Sequence, residues 1–455
     1  MTANHLNHFH RLGDTAGMQM SFNFIRLAGN WFIAMAVGLL AGGLFLSAAT
    51  VGAAQLPLPP VLLPYLQNPT ADGMTICFLA QGAERVTVAW HPAGAAAATE
   101  TTASGTPVPG TPWTIWKTRL TRLSAGAEYQ YHVRYQLAGQ AEQTPFYSFR
   151  ALNPAAKTVR FAAFNDVHNH TDTLAALMRH VQPADYEFSL LLGDMWTNPD
   201  PKDQAEEVFR TLEAYVRLLD APEKPMILVR GNHETIGGFA DKMALLFDLP
   251  SLEASAAHAD QNWYFPLRAG PVWFLGLDGG DDFIKRYELF QPIRQRQAAW
   301  LQQQLAGSPD TNAAWRVVLT HMPLYNDNIW NSEPCRQMWE PILKDARITV
   351  ELSGHDHDWK LIPAGKTYTI HFDGHYPDQQ DPQQRKSYSY IAPFPVLIGG
   401  GPSLREGSVM LVTADEKQFH ARLLAAQDGR QLVEFNSSAQ PDQQGVKPGQ
   451  QPEGK

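Results

Sequence analysis

Five short polar runs in this 455-residue chain combine side chains that bind metal ions or move protons, and each follows directly on an apolar run. They are Asn165-Asp166-Val167-His168, Gly193-Asp194, Gly231-Asn232-His233-Glu234, Thr320-His321 and Gly354-His355-Asp356-His357. Singly they are weak, because an Asp after a strand is commonly a cap or turn residue and a lone His is commonly a satisfied polar group. Five in order, each after an apolar run, are poorly explained as five unrelated turns. Carboxylate oxygens and neutral imidazoles suit borderline and hard divalent ions, and the set holds no thiolate to select soft ones. Asp166 and His168, two apart, are expected to face one side of an extended chain. The set is too large for one tetrahedral ion. It fits a pair bridged by one carboxylate, at the ~3.5–4 Å spacing of two-metal centres.

For these runs to meet, the apolar segments before them must lie side by side with their carboxyl ends together, where open α/β sheets bind ligands. Strands are predicted at 159–168, 186–194, 225–234, 272–278, 315–321 and 348–355. Helical periodicity marks 171–181, 203–219 and 291–305, so this part is α/β. Before it, residues 70–150 read as short β runs with turn residues between them, among them 74–79, 85–90, 114–120 and 128–135. Tyr129, Tyr131, Val133 and Tyr135 alternate at period two, which argues for a small β-sandwich. Residues 55–69 are Pro-rich and expected to form a stiff linker, and 431–455, rich in Gln, Pro and Gly, a disordered tail.

Composition removes several classes. A net charge of -9 argues against a nucleic-acid-wrapping protein. Two cysteines, Cys77 and Cys335, exclude a disulfide-dense scaffold and a Cys-rich zinc or iron–sulfur framework, and are expected to be buried and unpaired. Residues 31–48 are apolar and uncharged, with Arg26 before them and small residues after, the order of a secretory signal cleaved after Ala53 or Ala54. Retained, the same run would be a membrane anchor. Either way the chain is expected to work outside the cytoplasm, periplasmic or secreted.

D-x-H, G-D, G-N-H-E, H and G-H-x-H in this order resemble the calcineurin-like metallophosphoesterase superfamily, from about residue 158 to 413. The β-type domain in front and the Gln-rich helix ending Ala299-Trp300-Leu301 are similar to bacterial relatives of purple acid phosphatases. In the β-type domain, Leu120, Leu123 and Tyr129 resemble a fibronectin type III corner, where a tyrosine ties back to the preceding turn. The resemblance implies a four-layer αββα sandwich over 156–430 behind a fibronectin type III-like sandwich over 70–152, with 1–54 as signal or anchor. It implies one metal position held by Asp166, His168, Asp194 and His357, and a second held by Asp194, Asn232, His321 and His355. It gives His233 the substrate side as a proton donor or phosphoryl-binding group and Glu234 an orienting, supporting or structural role beside it, both expected as catalytic residues. Purple acid phosphatases place a metal-binding tyrosine three residues after the Asp of G-D, where this chain has Thr197, and they lack the His at 168. A coloured Fe(III)–tyrosinate pair is therefore not expected, and Mn, Fe and Zn all accept the set. The expected activity is metal-dependent hydrolysis of phosphate esters, monoesters favoured. A phosphodiesterase or nucleotidase on the same site, or a non-catalytic surface-binding protein, is the alternative. His170, His371, Asp373, His375, Asp356 and Asp358 are read as bystanders, and Trp196, Tyr325 and Trp330 as pocket walls or core.

Overall fold

A computed structural model describes residues 57–197, 205–253, 256–257, 260–282, 287–307, 309–326, 332–372 and 386–439. The expected signal or anchor, residues 1–54, lies outside them. Among the described residues no helix is long and apolar enough to cross a membrane.

Buried strands dictate the centre of the fold. FAAF, FSLL and MIL are buried throughout and apolar except at Ser189, as befits strands covered on both faces. They form the parallel part of a six-stranded sheet in the order Met226–Leu228, Phe188–Leu191, Thr158–Phe164, continued antiparallel by Ser408–Asp415, Gln418–Ala425 and Gln431–Ser438. A second six-stranded sheet runs Phe265–Ala269, Val272–Gly276, Trp315–Leu319, Val350–Ser353, Val396–Ile398, Lys360–Ile362, with its four middle strands parallel. Side chains of this sheet alternate between two cores. Val272, Phe274, Val317, Leu319, Val350, Leu352 and Leu397 pack with residues of the first sheet. Trp273, Leu275, Val318, Val396 and Ile398 pack with Leu301, Trp339 and Leu343 of the helices Tyr287–Gly307 and Glu333–Leu343. Phe274 stands edge-on to Phe161 at 5.1 Å, which joins the two sheets face to face. Helices Thr171–Met178 and Ala205–Leu218 contribute Leu174, Leu177, Val208, Phe209 and Leu212 to the core of the first sheet.

The amino-terminal part is all β, in a four-stranded sheet and a second antiparallel sheet built on Ala83–Pro92 and Glu128–Leu137. The Ser124 N–H donates to Tyr129 Oη at 2.8 Å, closing a tyrosine corner, and Leu120 and Leu123 are buried behind it. Cys77 and Cys335 are buried and free.

Two expectations need correction. The Pro-rich segment is not a linker, since Tyr65–Gln67 pairs with Gly73–Gln81, and Leu58, Leu62, Tyr65 and Leu66 are buried. Prolines suit an edge strand because they need no ladder partner, and the leucines between them fill the core. The carboxyl-terminal segment does not start a disordered tail at 431, because Gln431–Ser438 pairs with Gln418–Ala425. Such an edge strand needs few apolar residues, and only Phe435 is buried along it.

The sandwich shares core and hydrogen bonds with the α/β part. Trp113 packs on Phe209 at 5.4 Å. Tyr65 Oη donates to Leu246 O at 2.7 Å, and Tyr131 Oη to Pro222 O at 2.8 Å. Asp248 accepts from Thr75 Oγ1 at 2.5 Å and Asn68 Nδ2 at 3.1 Å, and Lys117 Nζ donates to Phe247 O. Asp248→Ala strips both donors of this acceptor, a loss of ~1–3 kcal/mol. Urea unfolding is expected to shift to a lower midpoint while circular dichroism and tryptophan fluorescence still report one coincident transition. Two separate transitions in the unmodified protein would contradict a shared core.

Candidate metal centre

Each predicted site residue lies just past the carboxyl end of a buried strand. Asp166 and His168 follow Thr158–Phe164, Asp194 follows Phe188–Leu191, and Asn232, His233 and Glu234 follow Met226–Leu228. His321 follows Trp315–Leu319, and His355 and His357 follow Val350–Ser353. Asp166 and His168 do not share a face through strand periodicity. They sit in left-handed backbone at φ 50° and 47°, as do Asn169 at 66°, Asp194 at 52°, His355 at 75° and His357 at 56°. Such values are uncommon outside glycine and cost energy unless the surroundings enforce them. Here the loops turn abruptly so that side chains from both sheets point into one space. Close backbone approach enforces the turn at Gly193, where a Cβ would fall 2.6 Å from His321 Cγ and 2.7 Å from Gly231 Cα.

Two groups of ligand atoms result, each drawn within 4.8 Å. One joins Asp166, His168 and His357. His168 Nε2 and His357 Nε2 are 3.0 Å apart, with Asp166 Oδ1 at 3.8 and 3.3 Å from them. The other joins Asp194, His321 and His355. Asn232 Oδ1 reaches His321 Nε2 at 3.0 Å and His355 Nδ1 at 3.1 Å. Asp194 Oδ2 lies 3.0 Å from His321 Nε2 and 3.6 Å from His168 Nε2, so one carboxylate touches both groups. A third grouping, His168, Asp194 and His233, overlaps them.

The donor set fits cations. His321 Nδ1 is 2.8 Å from Leu192 O, and a carbonyl only accepts, so Nδ1 carries the proton and Nε2 presents its lone pair. That lone pair faces Asp194 Oδ2 and Asn232 Oδ1, which are themselves acceptors. Asp166 Oδ1 is buried without a hydrogen-bond donor. Convergent acceptors with no donor between them call for positive charge. Without metal a proton fills that need. Burial opposes a charge on His321, but the Asp194 carboxylate, with Asp166 behind it, raises the imidazole to about 10. Burial, then the His321 charge, pushes His355 down to about 4. Burial also opposes ionisation of Asp166, yet His168 and His357 hold it well below the usual carboxylate range.

Glu234 is not on the substrate side. It is 0% exposed, and its carboxylate accepts the backbone N–H groups of Asp194 at 2.9 Å, Met195 at 2.7 Å, Trp196 at 3.2 Å and Gly231 at 2.8 Å. It ties the Asp194 loop to the Gly231 loop from beneath, a structural task. His233 is oriented instead by Thr197, whose carbonyl receives its Nδ1–H, while its Nε2 faces Asp194 Oδ2 at 3.8 Å. The Thr197 hydroxyl donates to His168 O at 2.7 Å, so the residue at the tyrosine position positions two histidines.

Trp196 is core, packed on Tyr215 and Phe247, and Tyr325 is fully buried. His170 is exposed at the start of the helix Thr171–Met178, and Asp358 is exposed as well. Asp356 pairs with Lys360 at 2.9 Å. Asp373, His375 and Trp330 lie outside the described residues, as does the side chain of His371. Two contributors carried no assigned role in the sequence reading. Asn165 donates to Asp166 Oδ2 at 2.6 Å and Gly400 O at 3.0 Å, and Asp282 accepts from Asn232 at 3.2 Å. Asp282 ends another polar run after an apolar strand, Asp278-Gly279-Gly280-Asp281-Asp282, the signal by which the other runs were found.

Residues 159–359 match the family model for calcineurin-like phosphoesterases. Purple acid phosphatase 22 of Arabidopsis thaliana is 28% identical over 225 residues, 48% of this chain and 48% of that protein. Serine/threonine-protein phosphatase CPPED1 is 26% identical over 247 residues in Bos taurus and over 248 in Homo sapiens, 49% of this chain and 72% of each relative. The chain thus spans about half the length of the first of these relatives. The matched stretch, a domain of mixed sheets, is similar to the calcineurin-like phosphoesterases and to these phosphatases.

Glu234→Gln sets an NH2 group against backbone N–H donors and is expected to cost ~2–3 kcal/mol. The melting temperature should fall and metal content should drop with it. A Gln variant as stable and as metal-rich as the parent would show that the four contacts do not hold the loops.

Proposed function

We propose that the chain is a metal-dependent phosphoester hydrolase with two cations at this centre and a preference for phosphate monoesters. The supporting observation is the sharing of Asp194 between two groups of convergent ligand atoms. Asp166, His168, Asp194 and His357 would hold one cation, and Asp194, Asn232, His321 and His355 the other. When bound, divalent cations supply Lewis acidity and lower the pKa of coordinated water. The chain's own residues do the rest. Asp194 sets the spacing, Leu192 and Thr197 fix the imidazole orientations, and His233 offers Nε2 toward the centre while its Nδ1–H is held by a carbonyl. As an imidazolium it protonates the leaving oxygen of the ester.

We read the stacked sheets and flanking helices as the αββα sandwich of the calcineurin-like metallophosphoesterase superfamily, and the tyrosine corner as that of a fibronectin type III-like domain over about 70–152. Export to the periplasm or the medium belongs to the same reading and rests on residues 31–54.

Asp194→Ala should deplete both cations and abolish hydrolysis. His233→Ala should keep near-normal metal content and lose ~10²–10⁴-fold in turnover, less for esters with acidic leaving groups. Metal analysis with alkyl and nitrophenyl phosphates, mono- and diesters, reads every part. Emptying of the site in His233→Ala would make His233 a ligand, as the third grouping allows, and would overturn its role as acid.

A further inference from the structure

An amide is nearly symmetric in shape but opposite in chemistry at its two ends, and only the oxygen can meet a cation. Asn232 is buried, so its orientation has to be imposed by its neighbours. Its Oδ1 faces His321 and His355, while its Nδ2 donates to Asp282 Oδ1 at 3.2 Å. A carboxylate only accepts, so it selects the nitrogen end. We propose that Asp282 is a positioning residue for this centre, holding the Asn232 amide so that its oxygen is presented to one of the two cations.

The loop carrying Asp282 is fastened for the task. Gln297 brackets the Asp278 backbone, accepting its N–H and donating to its carbonyl, both at 2.8 Å. Arg230 pairs with the Asp278 carboxylate at 2.5 Å, with both side chains 0% exposed. Arg294 donates to Gly279 O at 2.9 Å and Asp281 O at 3.0 Å. Gly280 takes φ 72°, and a Cβ there would fall 2.6 Å from Phe290 Cγ. Asp281 also grips the Asn232 loop, accepting from Thr235 Oγ1 at 3.1 Å. Two adjacent carboxylates thus hold the run 232–235 from a loop fixed by Arg294 and Gln297 of the helix Tyr287–Gly307.

The inference rests on the two-cation reading above, and titration of metal-free protein with Mn(II) or Zn(II) by calorimetry tests them separately. Unmodified protein should take two equivalents. Asp282→Ala should bind one as before and the other about 10–100-fold more weakly, the usual effect of removing a partner of a ligand. Asp282→Asn, which keeps an acceptor oxygen for the Asn232 amide, should bind both nearly as the parent does. Fewer than two equivalents in the unmodified protein overturns the two-cation reading itself. Two equivalents with unchanged affinities in Asp282→Ala overturns the role of Asp282 alone. Should Asp282→Ala fail to fold, Asp282→Asn still decides, because a loss of one equivalent there contradicts an orienting hydrogen bond.

Discussion

Lone pairs on seven side chains converge on one site, and the inward Asp166 Oδ1 among them is buried without a hydrogen-bond donor. Asp166 and Asp194 bring like charges together, His321 is committed to presenting Nε2, and Asn232 turns its oxygen inward. Such a set is unstable by itself, because buried acceptors without donors are costly. Either His321 retains a proton, as Asp194 induces it to, or cations take the place. Much of the surrounding structure exists to hold these groups against their mutual repulsion.

The holding is done in tiers. Left-handed backbone at six strand-end residues aims the side chains, and Glu234 gathers four amides beneath the Asp194 and Gly231 loops. Asn165 fastens Asp166 to Gly400, and buried Glu351 accepts from Thr320 Oγ1 and the Leu324 N–H on either side of His321. Further out, Phe247 packs on Trp196 beside the Asp194 loop, and its carbonyl is held by Lys117 of the sandwich. The sandwich therefore reaches to within two side chains of the centre.

The ligand types and their places at strand ends were legible, because apolar runs ending in Asp, Asn and His survive any detail of backbone geometry. The Asp166–His168 pair shows the limit of that legibility. Asp166 and His168 converge through positive φ rather than through strand alternation, and φ leaves little trace outside glycine. Glu234 followed His233 in sequence and was grouped with it, yet adjacent residues in a tight turn point apart, and burial sent it beneath the site. Asp282 went unassigned because its partner is 50 positions away, and only the fold brings them together. Segment 55–69 and strand Gln431–Ser438 were misjudged for a common reason, since edge strands need little apolar content and tolerate proline.

The central claim is that Asp194 stands between two cations. Anomalous diffraction from crystals grown with Mn(II) or Zn(II) tests it without assuming a substrate. The account predicts two peaks ~3.5–4 Å apart, both in contact with Asp194, one beside Asp166, His168 and His357 and the other beside Asn232, His321 and His355. A single peak, or a pair that leaves Asp194 out, would contradict it.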